Sequence, residues 1–171
     1  MIKFNRVWSM PNKNTFSIKP IKELLSRYVD KEDKLWIDPF ANSSKVASVT
    51  NDLDESFDTD YHLDVLDFMK LFKNDSIDGV LIDSPYSPRQ LSECYKKLNL
   101  SVTMETTQSS FWSKIKDEVA RVVKSGGLAI TFGWNSNGIG KTRGFEIIEI
   151  LLVAHGGNHN DTIVTVEKKL N

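Results

Sequence analysis

Residues 79–90 read GVLIDSPYSPRQ. The run Gly79-Val80-Leu81-Ile82 stops abruptly at Asp83-Ser84-Pro85-Tyr86. A short apolar run closed by turn residues fits a strand buried on both faces. It delivers a carboxylate, a proline-stiffened turn and an aromatic ring to one point. The same pattern recurs upstream. Leu35-Trp36-Ile37 stops at Asp38-Pro39, Ala47 to Thr50 at Asn51-Asp52, and the weaker run Tyr61-His62-Leu63 at Asp64. Ligands of open α/β sheets bind outside the carboxyl ends of the strands. Asp38, Asp52, Asp64 and Asp83 are therefore expected to line one crevice, the alternative being that each merely opens a loop.

Helical spacing fills some of the gaps. Ile18 to Val29 places apolar residues on one face with Pro20 in the first turn. Val65 to Phe72 is a second helix, and Phe111 to Val123 a longer one ended by Ser125-Gly126-Gly127. Leu128 to Phe132 reads as a further strand. Phe145 to Ala154 and Thr162 to Glu167 read as a closing hairpin around HGGNHND. The expected fold is α/β and Rossmann-like, a mostly parallel sheet with a C-terminal antiparallel hairpin, in a single domain over residues 1–171. One connection is unusual: between Asp38 and Asp52 there is barely room for a turn of helix.

Of the 171 residues, 40% are hydrophobic and 26% charged, which fits a globular chain of one ordinary domain. No apolar run approaches the roughly 20 residues that span a bilayer. The first residues, MIKFNRVWSMPNKN, lack the apolar core of a signal peptide. The one cysteine, Cys94, excludes an internal disulfide and a cysteine zinc cluster and points to a reducing cytoplasm. Net charge is −1, so no global basic field argues for nucleic acid. The distribution is uneven, however. An acidic middle, residues 30–83, lies between two basic segments, either a polarised surface or an ordinary solvated one.

The order and spacing of "DPFA", "TNDL", "YHLD", "D-x-PYSPRQ" and "FGWNSNG" resemble class I S-adenosylmethionine-dependent methyltransferases. Among these the chain is most similar to the small DNA N6-adenine methyltransferases of phages and prophages, over nearly its whole length. The resemblance implies S-adenosyl-L-methionine as cofactor, DNA as partner, and the bacterial host cytoplasm as location. Phe40-Ala41-Asn42-Ser43-Ser44 occupies the place of the family's glycine-rich cofactor loop, behind Asp38 and Pro39. Asn42 stands where glycine is usual, and Asn tolerates left-handed dihedrals better than most residues. Asp52 is placed to accept from the ribose hydroxyls, with Asp54 as close competitor, and Asp64 from the cofactor's adenine amino group. Ser17 to Ile21, including Ile18, resembles the segment that packs on the methionine part. An amphipathic first helix accounts for Ile18 and Ile21 equally well.

Asp83, Ser84, Pro85 and Tyr86 occupy the family's D-P-P-Y catalytic element. An exocyclic amine is a poor nucleophile because its lone pair is delocalised into the ring. Two acceptors aimed at its N–H groups, the Asp83 side chain and the carbonyl of residue 84, draw the nitrogen toward tetrahedral geometry. Pro85 fixes the turn, and Tyr86 offers a ring to stack on an extruded base. Ser84 still supplies a carbonyl, but lacks proline's rigidity. A plain strand-to-turn junction is the structural alternative. RNA adenine is the rival substrate, and a binding protein that lost turnover the rival class.

Two further stretches need weighing. NSNGIGKT, residues 135–142, resembles a phosphate-binding P-loop, but that loop requires a following helix, and Phe145 onward reads as a strand. Lys141 and Arg143 are instead expected beside Arg89 at the crevice mouth, touching the phosphate backbone. In HGGNHND, His155, His159 and Asp161 suggest a metal, but a hairpin loop is favoured, turning on the same rim as the strand ends. Between Pro88 and Phe111 there is no room for a separate target-recognition domain.

Overall fold

The computed structural model describes residues 1–85, 93, 96 and 109–170. Among these, the strands are β1 (Lys3–Trp8), β2 (Trp36–Asp38), β3 (Val49–Thr50), β4 (Ile77–Ile82), β5 (Val123–Gly133), β6 (Phe145–Ala154) and β7 (Thr162–Lys169). The helices are α1 (Lys19–Tyr28), α2 (Val65–Lys70) and α3 (Ser109–Val122). The strands form one sheet in the order β1-β6-β7-β5-β4-β2-β3. β7 runs antiparallel to both its neighbours, and the other pairs are parallel. The expected fold class is what the structure shows. None of the described helices is long and apolar enough to cross a membrane.

Two apolar layers hold the sheet. On one face Ile21, Leu24 and Leu25 of α1 pack on Leu81, Ile130, Leu151 and Val153. On the other, Phe68 and Met69 of α2 and Ile115 and Val119 of α3 pack on Ile37, Val80 and Ala129. Trp36 lies flat across β4 at Gly79, where a Cβ would overlap its ring, so only glycine fits there. The run Ala47 to Thr50 yields a strand of two residues, and Tyr61 to Leu63 a single bridge, Asn51 to Tyr61. The short connection between β2 and β3 contains no helix. Ser48 substitutes for one: its N–H donates to the Trp36 carbonyl and its hydroxyl accepts from the Trp36 N–H.

β1 is an element that the sequence reading does not anticipate. Its burial alternates, with Asn5 and Val7 half-buried between exposed Phe4, Arg6 and Trp8, which suits an edge strand where one face meets solvent. The crossover from β5 to β6 also lacks an α-helix. Residues 134–140 descend the sheet as irregular chain before the 3₁₀ turn Lys141–Arg143, anchored by buried Glu167, which accepts from Ile139 N (2.5 Å) and Gly140 N (3.0 Å). Gly138, at φ +51°, leaves no space for a Cβ against that carboxylate. NSNGIGKT is thus a crossover clamped to an acid, and β6 follows it instead of the helix a P-loop needs.

Candidate functional site

The carboxyl ends of β2, β3 and β4 bring Asp38, Asp52 and Asp83 together, close enough for the charges of Asp83 and Asp52 to act on Asp38. Asp38 is fully buried. Its Oδ1 accepts from the Phe40 N–H at 3.1 Å, while Oδ2 has no hydrogen-bond partner. Burial raises its pKa well above the usual carboxylate range, and the two neighbouring acids push the same way against the Phe40 hydrogen bond. Burial thus favours the neutral form of Asp38 over the carboxylate. A buried acid with one oxygen unsatisfied at a strand end is a feature that functional sites share.

The turn after β2 is held by its neighbour strand. Asp52 accepts from Asn42 N (2.8 Å) and from Asp54 N (3.0 Å). Asn42 sits at φ +51°, the left-handed conformation expected of it. Asn51, which the sequence reading passes over, ties the crevice floor. Its side chain donates to the Pro39 and Leu63 carbonyls and accepts from the Leu63 N–H, and its own carbonyl accepts from the Ala41 N–H. Only the polar residue inside an apolar run signalled it. Asp64 caps α2 by accepting from the Leu66 N–H (2.9 Å).

α1 begins at the same end. Ser17 donates to the Asn14 carbonyl, Ile18 and Ile21 are buried in the core, and Phe16 packs on Phe132 at 4.8 Å between centroids. Asp83, Ser84 and Pro85 leave β4 half-buried at the centre of the rim. Trp134, 44% exposed, leaves β5 on that rim. Tyr86, Arg89 and Cys94 lie outside the described residues.

Lys141 and Arg143 are not where the sequence reading expects them. They form the 3₁₀ turn that leads into β6. Because β6 runs parallel to β5, this turn lies at the amino ends of the strands, across the sheet from Asp38, Asp52 and Asp83. Arg143 is also engaged, donating to Asp117 Oδ1 (2.6 Å) and Ser113 Oγ (2.7 Å) of α3. The turn after β6 does lie on the crevice rim, as expected. Its His155 is buried, with one ring nitrogen on the Ser9 carbonyl (2.8 Å) and the other on Thr162 Oγ1 (2.9 Å).

Neither a protein-family profile nor a curated protein sequence matches the chain. Its architecture does match solved structures. One is a 1,6-didemethyltoxoflavin N1-methyltransferase from Burkholderia thailandensis with S-adenosylhomocysteine bound (TM-score 0.54, 8% identity, 81% of this chain and 72% of that one). TrmN from Thermus thermophilus matches 90% of this chain, which spans 49% of TrmN's length (TM-score 0.55, 15% identity). The N-methyltransferase NodS from Bradyrhizobium japonicum matches over 94% of this chain and all of its own (TM-score 0.57, 10% identity). The fold is that of the class I S-adenosylmethionine-dependent methyltransferases.

Proposed function

We propose that the protein transfers a methyl group from S-adenosyl-L-methionine to the exocyclic N6 of adenine in DNA. The observation that carries this reading is the departure of Asp83-Ser84-Pro85 from β4 directly beside the strand-end acids Asp38 and Asp52. Those acids suit the cofactor. The Asp52 and Asp83 side chains favour a sulfonium and an ammonium group nearby, and Asp38 Oδ2, without a partner among the described residues, leaves hydrogen-bonding capacity in the crevice wall. Asp52 is placed to accept from the ribose hydroxyls and Asp64 from the adenine amino group, and Asn42 shapes the turn beneath. When bound, the cofactor supplies an electrophilic methyl group.

The chain's own residues then prepare the amine. Asp83 accepts from one N–H and the Ser84 carbonyl from the other, localising the nitrogen lone pair. Pro85 holds the turn, and Tyr86 stacks on the extruded base, with Arg89 as the remaining candidate for phosphate. The amine's surplus proton, released once the new C–N bond forms, passes to Asp83 and then to water. Lys141 and Arg143 have no part in this reading. The experiment is incubation with labelled cofactor and either DNA or RNA, followed by nucleoside analysis. N6-methyladenine in DNA is expected. Label in RNA alone would move the substrate to RNA, and cofactor binding without any transfer would support a binding protein.

A further inference from the structure

β1 closes one side of the sheet, and among the described residues no strand pairs with its outer edge. Ser9 donates its N–H to the Ala154 carbonyl, and Trp8 is the register partner of Ala154. In a parallel ladder this turns the N–H and C=O groups of the odd residues toward β6 and those of Phe4, Arg6 and Trp8 outward. The even residues also share one face. Ile2, Phe4, Trp8 and Met10 are 51%, 60%, 65% and 67% exposed. Ile150 and Leu152, their neighbours on β6, are only half-buried. A row of large apolar side chains along an unpaired ladder is what solitary edges avoid.

We propose that β1 is a self-association surface, through which two copies pair antiparallel, edge to edge, across a two-fold axis at Val7. An open ladder takes a strand, and the charges narrow which one. β1 carries Lys3 and Arg6 and no acid. Three registers join the outward-facing residues over most of the strand. The one centred on Arg6 sets it against the partner's Arg6. The one centred on Asn5 leaves Met10 unpaired and gives Arg6 only the partner's Phe4, a weaker cation–π platform than the Trp8 it meets in the register centred on Val7, which leaves Ile2 unpaired. The one centred on Val7 sets Arg6 opposite the partner's Trp8, Phe4 opposite the partner's Met10, and Asn5 opposite the partner's Ser9. These are a cation on an aromatic face, a thioether beside a ring, and an amide beside a hydroxyl. Each seven-stranded sheet thereby continues into the other. An edge of this length makes a small interface, so the dimer is expected to be weak, with Kd on the order of 10–100 μM.

Sedimentation of the full chain over a concentration series tests this. A monomer–dimer equilibrium is expected, and a protein still monomeric at about 1 mM overturns the proposal. Trp8 is exposed, so its variants keep the fold, which circular dichroism verifies. Trp8→Lys should weaken the dimer roughly tenfold or more, because the two-fold repeats the Arg6–Trp8 pair. Trp8→Glu, opposite the same Arg6, should retain it. Equal loss in both variants overturns the register. In a Cys94→Ser background, Val7→Cys should oxidise to a covalent dimer and Asn5→Cys should not. The reverse result places the axis elsewhere and overturns the proposal.

Discussion

Arg27 grips Glu149 with both guanidinium nitrogens, 2.7 Å to Oε1 and 3.1 Å to Oε2, and so fastens the end of α1 to β6. Tyr28 adds a third donor at 2.7 Å, and Lys3 stands 3.4 Å from Oε1. Burial alone raises the Glu149 pKa. The hydrogen bonds from Arg27 and Tyr28 and the nearby positive charges outweigh it and bring the carboxyl from 4.5 down to about 2. Burial and Glu149 together push the Tyr28 hydroxyl up to about 12.

Glu149→Gln should therefore cost about 1–3 kcal/mol at neutral pH, a range that allows for the half-exposed Arg27. The depressed carboxyl stabilises the fold above pH 4.5, and that contribution fades as pH falls toward 2. The raised hydroxyl works in the opposite sense, full below pH 10 and lost on the way to 12. Urea titrations across pH should show the Glu149→Gln deficit shrinking in acid and the Tyr28→Phe deficit shrinking in alkali.

Asp38 carries the contrary sign. A carboxyl whose pKa is raised on folding contributes most below its ordinary value of 3.8 and progressively less as pH climbs through the raised value. Asp38→Asn should leave neutral-pH stability equal or higher and flatten its dependence on pH. Melting curves over roughly pH 4–8 check this. A large loss of stability in Asp38→Asn would mean that the folded protein needs the charged form.

Asp52→Ala removes the acceptor for two backbone N–H groups and one proposed contact to the ribose. Binding of S-adenosylmethionine should weaken by about 1–3 kcal/mol by calorimetry. Hydrogen exchange at the Asn42 and Asp54 amides should quicken even without cofactor. Faster exchange with unchanged affinity would separate the clasp from the binding role.

At position 84 the backbone carbonyl is the proposed acceptor. Ser84→Pro preserves it and stiffens the turn, so turnover on DNA should hold or rise. A folded Ser84→Pro protein that is much slower than the parent would show that the serine hydroxyl, not the carbonyl, is what the reaction uses.

Arg143→Ala breaks the bonds to Asp117 and Ser113, at a cost of about 1 kcal/mol for a surface network of this kind. Because the turn lies away from the crevice, the salt dependence of DNA binding should stay as it is. A slope reduced by roughly one would place a phosphate at this end of the sheet.

The parts legible in the sequence are those whose physics is local. Gly79 to Ile82 is apolar on both faces and ends in turn residues, and Phe145–Ala154 with Thr162–Lys169 alternates around two glycines. The site acids follow from that reading, since each simply ends a run. β1 escaped because KFNRVW pairs with residues some 146 positions away, a partner that no local window contains. Lys141 and Arg143 were misplaced for a related reason. The segment from Trp134 to Gly144 spans the sheet's height, and composition does not tell which end of it is which. Asp52 presents a third case, since its hold on Asn42 depends on two turns meeting in space.

The pairing of β1 with β6 also sets a schedule for synthesis on the ribosome. Lys3–Trp8 are translated some 146 residues ahead of their hydrogen-bonding partners, Glu149–Ala154. The nascent chain must carry this strand without its mate until the codons for Glu149–Ala154 have been read. Completion of the sheet is thus expected to be late and slow, as non-local pairings generally are. Ribosome-bound chains halted before residue 145 should leave the Asn5 and Val7 amides open to hydrogen exchange and the segment open to holdase chaperones.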